Sequence, residues 1–247
     1  MRGFWKLTWV ELKLMLREPM ASFFTLVFPL MLLLLFGSIY GNKPTPFFGG
    51  QGYVDAMIPA FAVIILGTTG LMSLSISMAS DREQGVLRRL RTTPLRPLTV
   101  LAAKVLVLFL ISAAGMALLI VVGRIVYHLR LPAHPGRVFL GFLLSCAAAF
   151  AMGFIIAGLM KTARSAQIVA MVLFYPMMFL SGSTIPREVL PEAVRRSARV
   201  FPLTSMVTIL RGLWKGDAWS AYTGDVIFLL AVFAAGLLIS AWTFRWE

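Results

Sequence analysis

Six apolar runs, each near twenty residues long, govern what this chain can become. They cover about 20–41, 54–79, 99–123, 137–160, 166–183 and 221–244. A helix needs roughly 20 apolar residues to cross the hydrocarbon core of a bilayer. No water reaches the backbone there, so a spanning segment must satisfy its own polar groups, as a helix does. The pattern predicts an all-α membrane protein with six transmembrane helices. Pro29 and Pro59 fall inside the first two runs, which a bundle tolerates where neighbours satisfy the freed backbone groups. A mean hydropathy of +0.86 and a charged fraction of 13% exclude an ordinary soluble domain, which carries about 25% charged residues. One membrane domain, residues 1–247, accounts for the full length.

An even number of spans puts both termini on one side. With both ends cytoplasmic, thirteen of the 23 Lys and Arg residues lie inside, and six of the ten outside sit in the long 184–220 segment, which the positive-inside rule weighs less. The expectation is a multi-pass protein of the cell (plasma) membrane with cytoplasmic termini. The net charge of +13 then reflects loop placement and lipid head groups, not nucleic acid. The single cysteine, Cys146, lies in an apolar run, can form no internal disulfide and reads as packing.

Residues 4–18, "FWKLTWVELKLMLRE", place Trp5, Trp9, Leu12 and Leu16 on one helical stripe and Lys6, Lys13 and Arg17 on another. That division suits an N-terminal interfacial helix lying among lipid head groups. Residues 184–220 are too charged to span and too apolar for a free loop, and Pro186, Pro191 and Pro202 punctuate them. Short outer helices, surface-lying or re-entrant, are expected between spans five and six.

The most charged stretch is "SDREQGVLRRLRTTPLRPLTVLAAK", residues 80–104, between the second and third runs. Ser80 and Glu83 have capping-box spacing, which predicts a helix from Ser80 to about Thr92, stopped by Pro94. Val86, Leu87 and Leu90 would share one face, with Arg82, Arg88, Arg89 and Arg91 on the others. Taken alone, the charge is equally that of a basic retention loop.

The order of residues resembles the signature of ABC-2 type permeases, the membrane subunits of one class of ABC exporters. The matching positions are Asp81, Arg82, Glu83, Gly85, Leu87, Arg88, Leu90, Thr93, Pro94 and Lys104. A second match is "FYPMMFLSGSTIPREVLPEAVRRSARVFPLTSMVTILRGLW", residues 174–214, where Phe201 stands in the place of the family's usual Asn. The bacterial drug and antibiotic exporters are the nearest flavour. The resemblance implies that residues 80–97 form a cytoplasmic coupling helix docking on an ATPase subunit, with Asp81, Arg82, Glu83, Gly85, Val86, Leu87, Arg88, Leu90, Arg91, Thr93 and Pro94 at the interface. It also implies two ATPase copies and a second permease, identical or paralogous. No G-x-x-x-x-G-K-[ST] phosphate loop occurs, so ATP and Mg are expected on the partner chain, with no cofactor or metal held here.

An intramembrane enzyme would need catalytic acids, histidines or a nucleophile–base pair at membrane depth. The ten Asp and Glu residues all fall at span ends or in connecting segments. A secondary transporter usually places ionisable groups near the midplane, and a passive membrane anchor is the third alternative. For a substrate path, Thr69, Ser73 and Ser77 form a polar stripe on the second span, equally explained by inter-helix hydrogen bonds. The fifth span offers Gln167, Met171, Phe174, Tyr175, Met178, Phe179 and Ser181, adaptable side chains for amphipathic cargo and equally explained by lipid-facing or core packing; the resemblance implies that these two spans line a dimer centre. Ala149, Gly153 and Ala157 make a small-residue helix-packing face on the fourth span. Within the resemblance, lipid or glycolipid is the alternative to drug cargo.

Overall fold

A computed structural model describes residues 2–48, 50–86, 97–184 and 191–243. The described chain is helical, with helices α1 (Arg2–Arg17), α2 (Pro19–Tyr40), α3 (Tyr53–Glu83), α4 (Pro97–Tyr127), α5 (Pro135–Leu159), α6 (Ala163–Leu180), α7 (Glu192–Ser197), α8 (Pro202–Lys215) and α9 (Thr223–Thr243). Six of them, α2 to α6 and α9, are long and apolar enough to cross a membrane. They fall on the six apolar runs.

Helix α3 is the axis of the bundle. It touches α2, α4, α5, α6 and α8, and Val54 to Leu66 form an unbroken buried run. A helix apolar on all sides must find neighbours on all sides. By contrast α2, α6 and α9 leave large apolar side chains such as Leu35, Val172 and Leu238 exposed, as surfaces that meet lipid or protein within a membrane do.

Two of the spans contain π-helical turns, at Phe23–Val27 in α2 and Thr68–Leu74 in α3. The first runs up to Pro29, which has no N–H for the helical ladder. In the second, Thr68 Oγ1 donates to the Ile65 carbonyl (2.9 Å) and Thr69 Oγ1 to the same oxygen (2.8 Å), so side chains compete for the acceptors of the ladder. This turn presses against α5. A Cβ on Gly153 would lie 2.0 Å from the Gly70 carbonyl oxygen, and one on Gly70 would lie 2.7 Å from the Ala149 backbone. The small-residue face of α5 therefore lets two backbones meet.

Helix α8 enters the bundle. Leu203, Met206, Leu210 and Leu213 are fully buried, and α8 packs on α3, α5 and α9. Gly141 of α5 opens room for Leu213. Phe201 occupies the N-cap position of α8 without a side-chain cap, a place where Asn would supply one. At this end of the molecule the buried Asp55 carboxylate accepts from Asn42 Nδ2 (3.0 Å) and Arg130 N (2.9 Å), and Trp214 Nε1 donates to the Arg130 carbonyl (3.2 Å). These bonds tie the α2–α3 and α4–α5 connections to α8.

Candidate functional site

The opposite end of the bundle holds α1 and the last turn of α3. That turn reads Asp81-Arg82-Glu83. Successive residues on an α-helix point about 100° apart, so three ionisable side chains in a row reach three different neighbours. Asp81 pairs with Lys104 of α4, whose ammonium also lies 3.9 Å from Glu11 of α1. Arg82 donates to the carbonyl oxygens of Met160 and Gly158 (3.5 Å) at the end of α5. Glu83 accepts from the backbone N–H of Ala163, the first residue of α6 (2.8 Å). A cation sits at a helix C-terminus and an anion at a helix N-terminus, the favourable sense for both macrodipoles. Thr162 and Ser165 complete the α6 start with a reciprocal capping box. One turn thus clasps the ends of α4, α5 and α6, and through Lys104 reaches α1.

Lys104 is nearly buried, at 4% exposure. It lies five residues inside the Thr99–Tyr127 span, and only its two carboxylate partners make that tolerable. The Glu11 carboxyl is raised above the usual carboxylate range; burial is the main cause, with Asp81 and Glu18 adding to it and Lys104 opposing.

The helix expected to begin at Ser80 does not begin there. Ser80 is inside the last turns of α3: its carbonyl accepts from Gln84 N (2.9 Å), and Gln84 Nε2 donates to its hydroxyl (3.0 Å). The capping-box spacing was outweighed because the apolar run of α3 carries the helix to Glu83. Gly85, at φ +65°, then turns the chain in a conformation that favours glycine, so α3 does not continue as a straight rod into the following segment. Val86 is half-buried; Leu87, Arg88, Leu90, Arg91, Thr93 and Pro94 lie outside the described residues.

A cavity of about 680 Å³ opens beside the clasp, between α1, α2, α3, α4 and α6. Ser73, Ser77, Gln167, Met171 and Tyr175, all expected along a path, line it. Thr69 does not: it is fully buried and its hydroxyl meets Ser112 Oγ of α4 at 2.9 Å. Phe174 and Met178 are core residues, Phe174 filling the space left by Gly67. Ser181 is buried and bonded to Ser183 Oγ (2.7 Å), while Phe179 is exposed on the outer surface of α6. Glu11 and Thr25 enter the wall unannounced. Lys104 carried a signal, as a lone charge inside an apolar run; Thr25 carried none. On α1, Trp5, Trp9 and Leu16 are exposed and Leu12 is half-buried, while Thr8 is buried, so the helix packs on α4 by another face.

The ABC-2 type transporter family matches residues 2–214, a range that holds five of the six spans, the clasp and all but the last residue of α8. The chain belongs to the ABC-2 type transporter family. With its six long apolar helices, it is a multi-pass membrane protein. Among curated relatives it is 22% identical over 207 residues to the inner membrane transport permease YhhJ of Escherichia coli (strain K12), covering 83% of this chain and 53% of that one. The probable multidrug ABC transporter permeases YbhS and YbhR of the same organism are 24% and 21% identical, over 71% and 66% of this chain and 47% and 44% of theirs. The chain spans about half the length of the curated relatives it matches.

Proposed function

We propose that this ABC-2 family chain is the membrane-spanning permease subunit of an ATP-driven exporter that moves hydrophobic or amphipathic cargo, drugs or antibiotics foremost, out of the cell. Residues 1–247 act as one transmembrane domain. Two copies, or this chain and a paralogue, form the pore. Two ABC ATPase subunits bind ATP and Mg below it, so hydrolysis occurs on separate chains. Both termini and the α1 end of the bundle face the cytoplasm. The multidrug designation of YbhR and YbhS supports drug cargo over lipid or glycolipid.

One observation supports this reading most: the Asp81-Arg82-Glu83 turn, within the residues 80–97 that the family resemblance assigns to the ATPase, holds the ends of α4, α5 and α6. A shift of that segment pulls on three spans at once, the kind of rigid-body displacement that packed elements transmit. The test is co-purification of a tagged chain with its ATPase and measurement of cargo-stimulated ATP hydrolysis. Leu87→Asp and Glu83→Arg are expected to insert normally and to lose stimulation. Unchanged stimulation in both, or the absence of any ATPase chain, overturns the reading.

A further inference from the structure

We infer that the cavity beside the clasp is a binding site for a lipophilic cation, loaded from the cytoplasmic side; this rests on the export reading and names the charge class of the cargo. The volume of about 680 Å³ is that of a site for a drug-sized molecule. The walls are apolar where Phe24, Met72, Ile76 and Met171 line them. The charges are uneven. Among the described residues, three carboxylates, Glu11, Glu18 and Asp81, line the cavity against two cations, Arg17 and Lys104. Lys104 lies between Asp81 and Glu11, so two carboxylates share one ammonium and the surplus is negative. An anion entering here meets Glu11 and Asp81; a cation completes the set. In a chain of net charge +13, this reversal of sign is local.

A second observation is independent of charge. Thr25 is fully buried in the wall and its hydroxyl has no hydrogen-bond partner. A buried hydroxyl left without a partner is costly; its oxygen can accept from a cationic or N–H-bearing guest, and its O–H can equally donate. Thr25 belongs to the π turn of α2, and Thr68, Met72 and Ser73 belong to the π turn of α3. The two irregular turns face the same cavity, and π turns concentrate at functional sites. The Tyr175 ring adds an aromatic face of the kind that attracts organic cations.

The test uses two ions of matched size and opposite charge, tetraphenylphosphonium and tetraphenylborate. The full chain, purified with whatever ATPase accompanies it, is placed in nanodiscs of zwitterionic lipid. Binding is measured by equilibrium dialysis with empty nanodiscs subtracted. Saturable binding of the phosphonium and not of the borate is expected. Glu11→Gln should weaken it about tenfold, which is about 1.4 kcal/mol, and Glu18→Gln, at an exposed position that folding tolerates, about threefold. Met171→Trp, which adds bulk to the cavity wall, should weaken it about tenfold or more. Equal binding of both ions, no saturable binding of either, or wild-type phosphonium affinity in Glu11→Gln and Glu18→Gln overturns the inference. If Glu11→Gln does not fold, Glu18→Gln and Met171→Trp decide. A preparation that contains the ATPase and shows no charge preference refutes the cation site alone; a preparation without an ATPase refutes the export reading whatever the ions do.

Discussion

Lys104 shows how much depends on the company of a single charge. Removing the ammonium by Lys104→Met leaves Asp81 and Glu11 facing each other without compensation, and breaking a buried pair costs about 3 kcal/mol or more. Neutralising its strongest partner as well, in Lys104→Met/Asp81→Asn, should restore part of that loss, because a neutral pair carries no unpaired charge. Thermal unfolding in detergent checks the order: wild type above the double variant, and the double variant above Lys104→Met. Glu11 adds a pH signature. Its carboxyl is raised by burial, so the folded chain holds that proton more tightly than the unfolded chain does. Its contribution to stability is present below the ordinary glutamate range and is lost as pH rises through the raised value. Lys104, Asp81 and Glu18 are the charged groups that act on it. The slope of melting temperature against pH across the mildly acidic range should therefore be flatter in Glu11→Gln than in wild type.

At the scale of elements, α3 and α5 meet backbone to backbone. Gly153→Ala would set a methyl group 2.0 Å from the Gly70 carbonyl oxygen, and backbone cannot yield as a flexible side chain does. The helices must separate, at a cost of about 1–3 kcal/mol. Gly136, in the first turn of the same helix, has nothing within 4 Å of its Cβ position. Gly136→Ala should be neutral or stabilise by about 0.5–1 kcal/mol. Unfolding of the two variants side by side separates the close approach from helix propensity. If Gly153→Ala unfolds like wild type, the two backbones are not as close as described.

At the scale of the whole molecule, α3 is a central helix, and the charged groups among the described residues are divided between two ends. One end carries the Asp55–Asn42–Arg130 bonds and α8; the other carries the clasp, α1 and the cavity. Orientation is checked by cysteine labelling in a Cys146→Ala background. Asn42 is unsuitable because it is bonded to Asp55, whereas Lys43 and Lys161 are exposed. Lys43→Cys should react only from outside and Lys161→Cys only from the cytoplasm. The reverse pattern would put the clasp outside and end the coupling argument.

The six spans, the helix before the first of them and the family were legible in the sequence, since a bilayer demands about twenty apolar residues per crossing whatever the neighbours are. The Asp81-Arg82-Glu83 triplet stood out as well, as residue types in order. What each residue grips was not legible, because the partners Met160, Ala163, Lys104 and Glu11 come from other segments. The Ser80–Glu83 spacing misled for a different reason: a local capping pattern is weaker than an apolar helix already running through it. The two π turns and the burial of Thr69, Phe174 and Met178 depend on how α3 meets α4, α5 and α6. A serine or threonine stripe has the same spacing whether it bonds a neighbour or lines a cavity. Only packing divided Thr69, which bonds Ser112, from Ser73 and Ser77, which line the cavity.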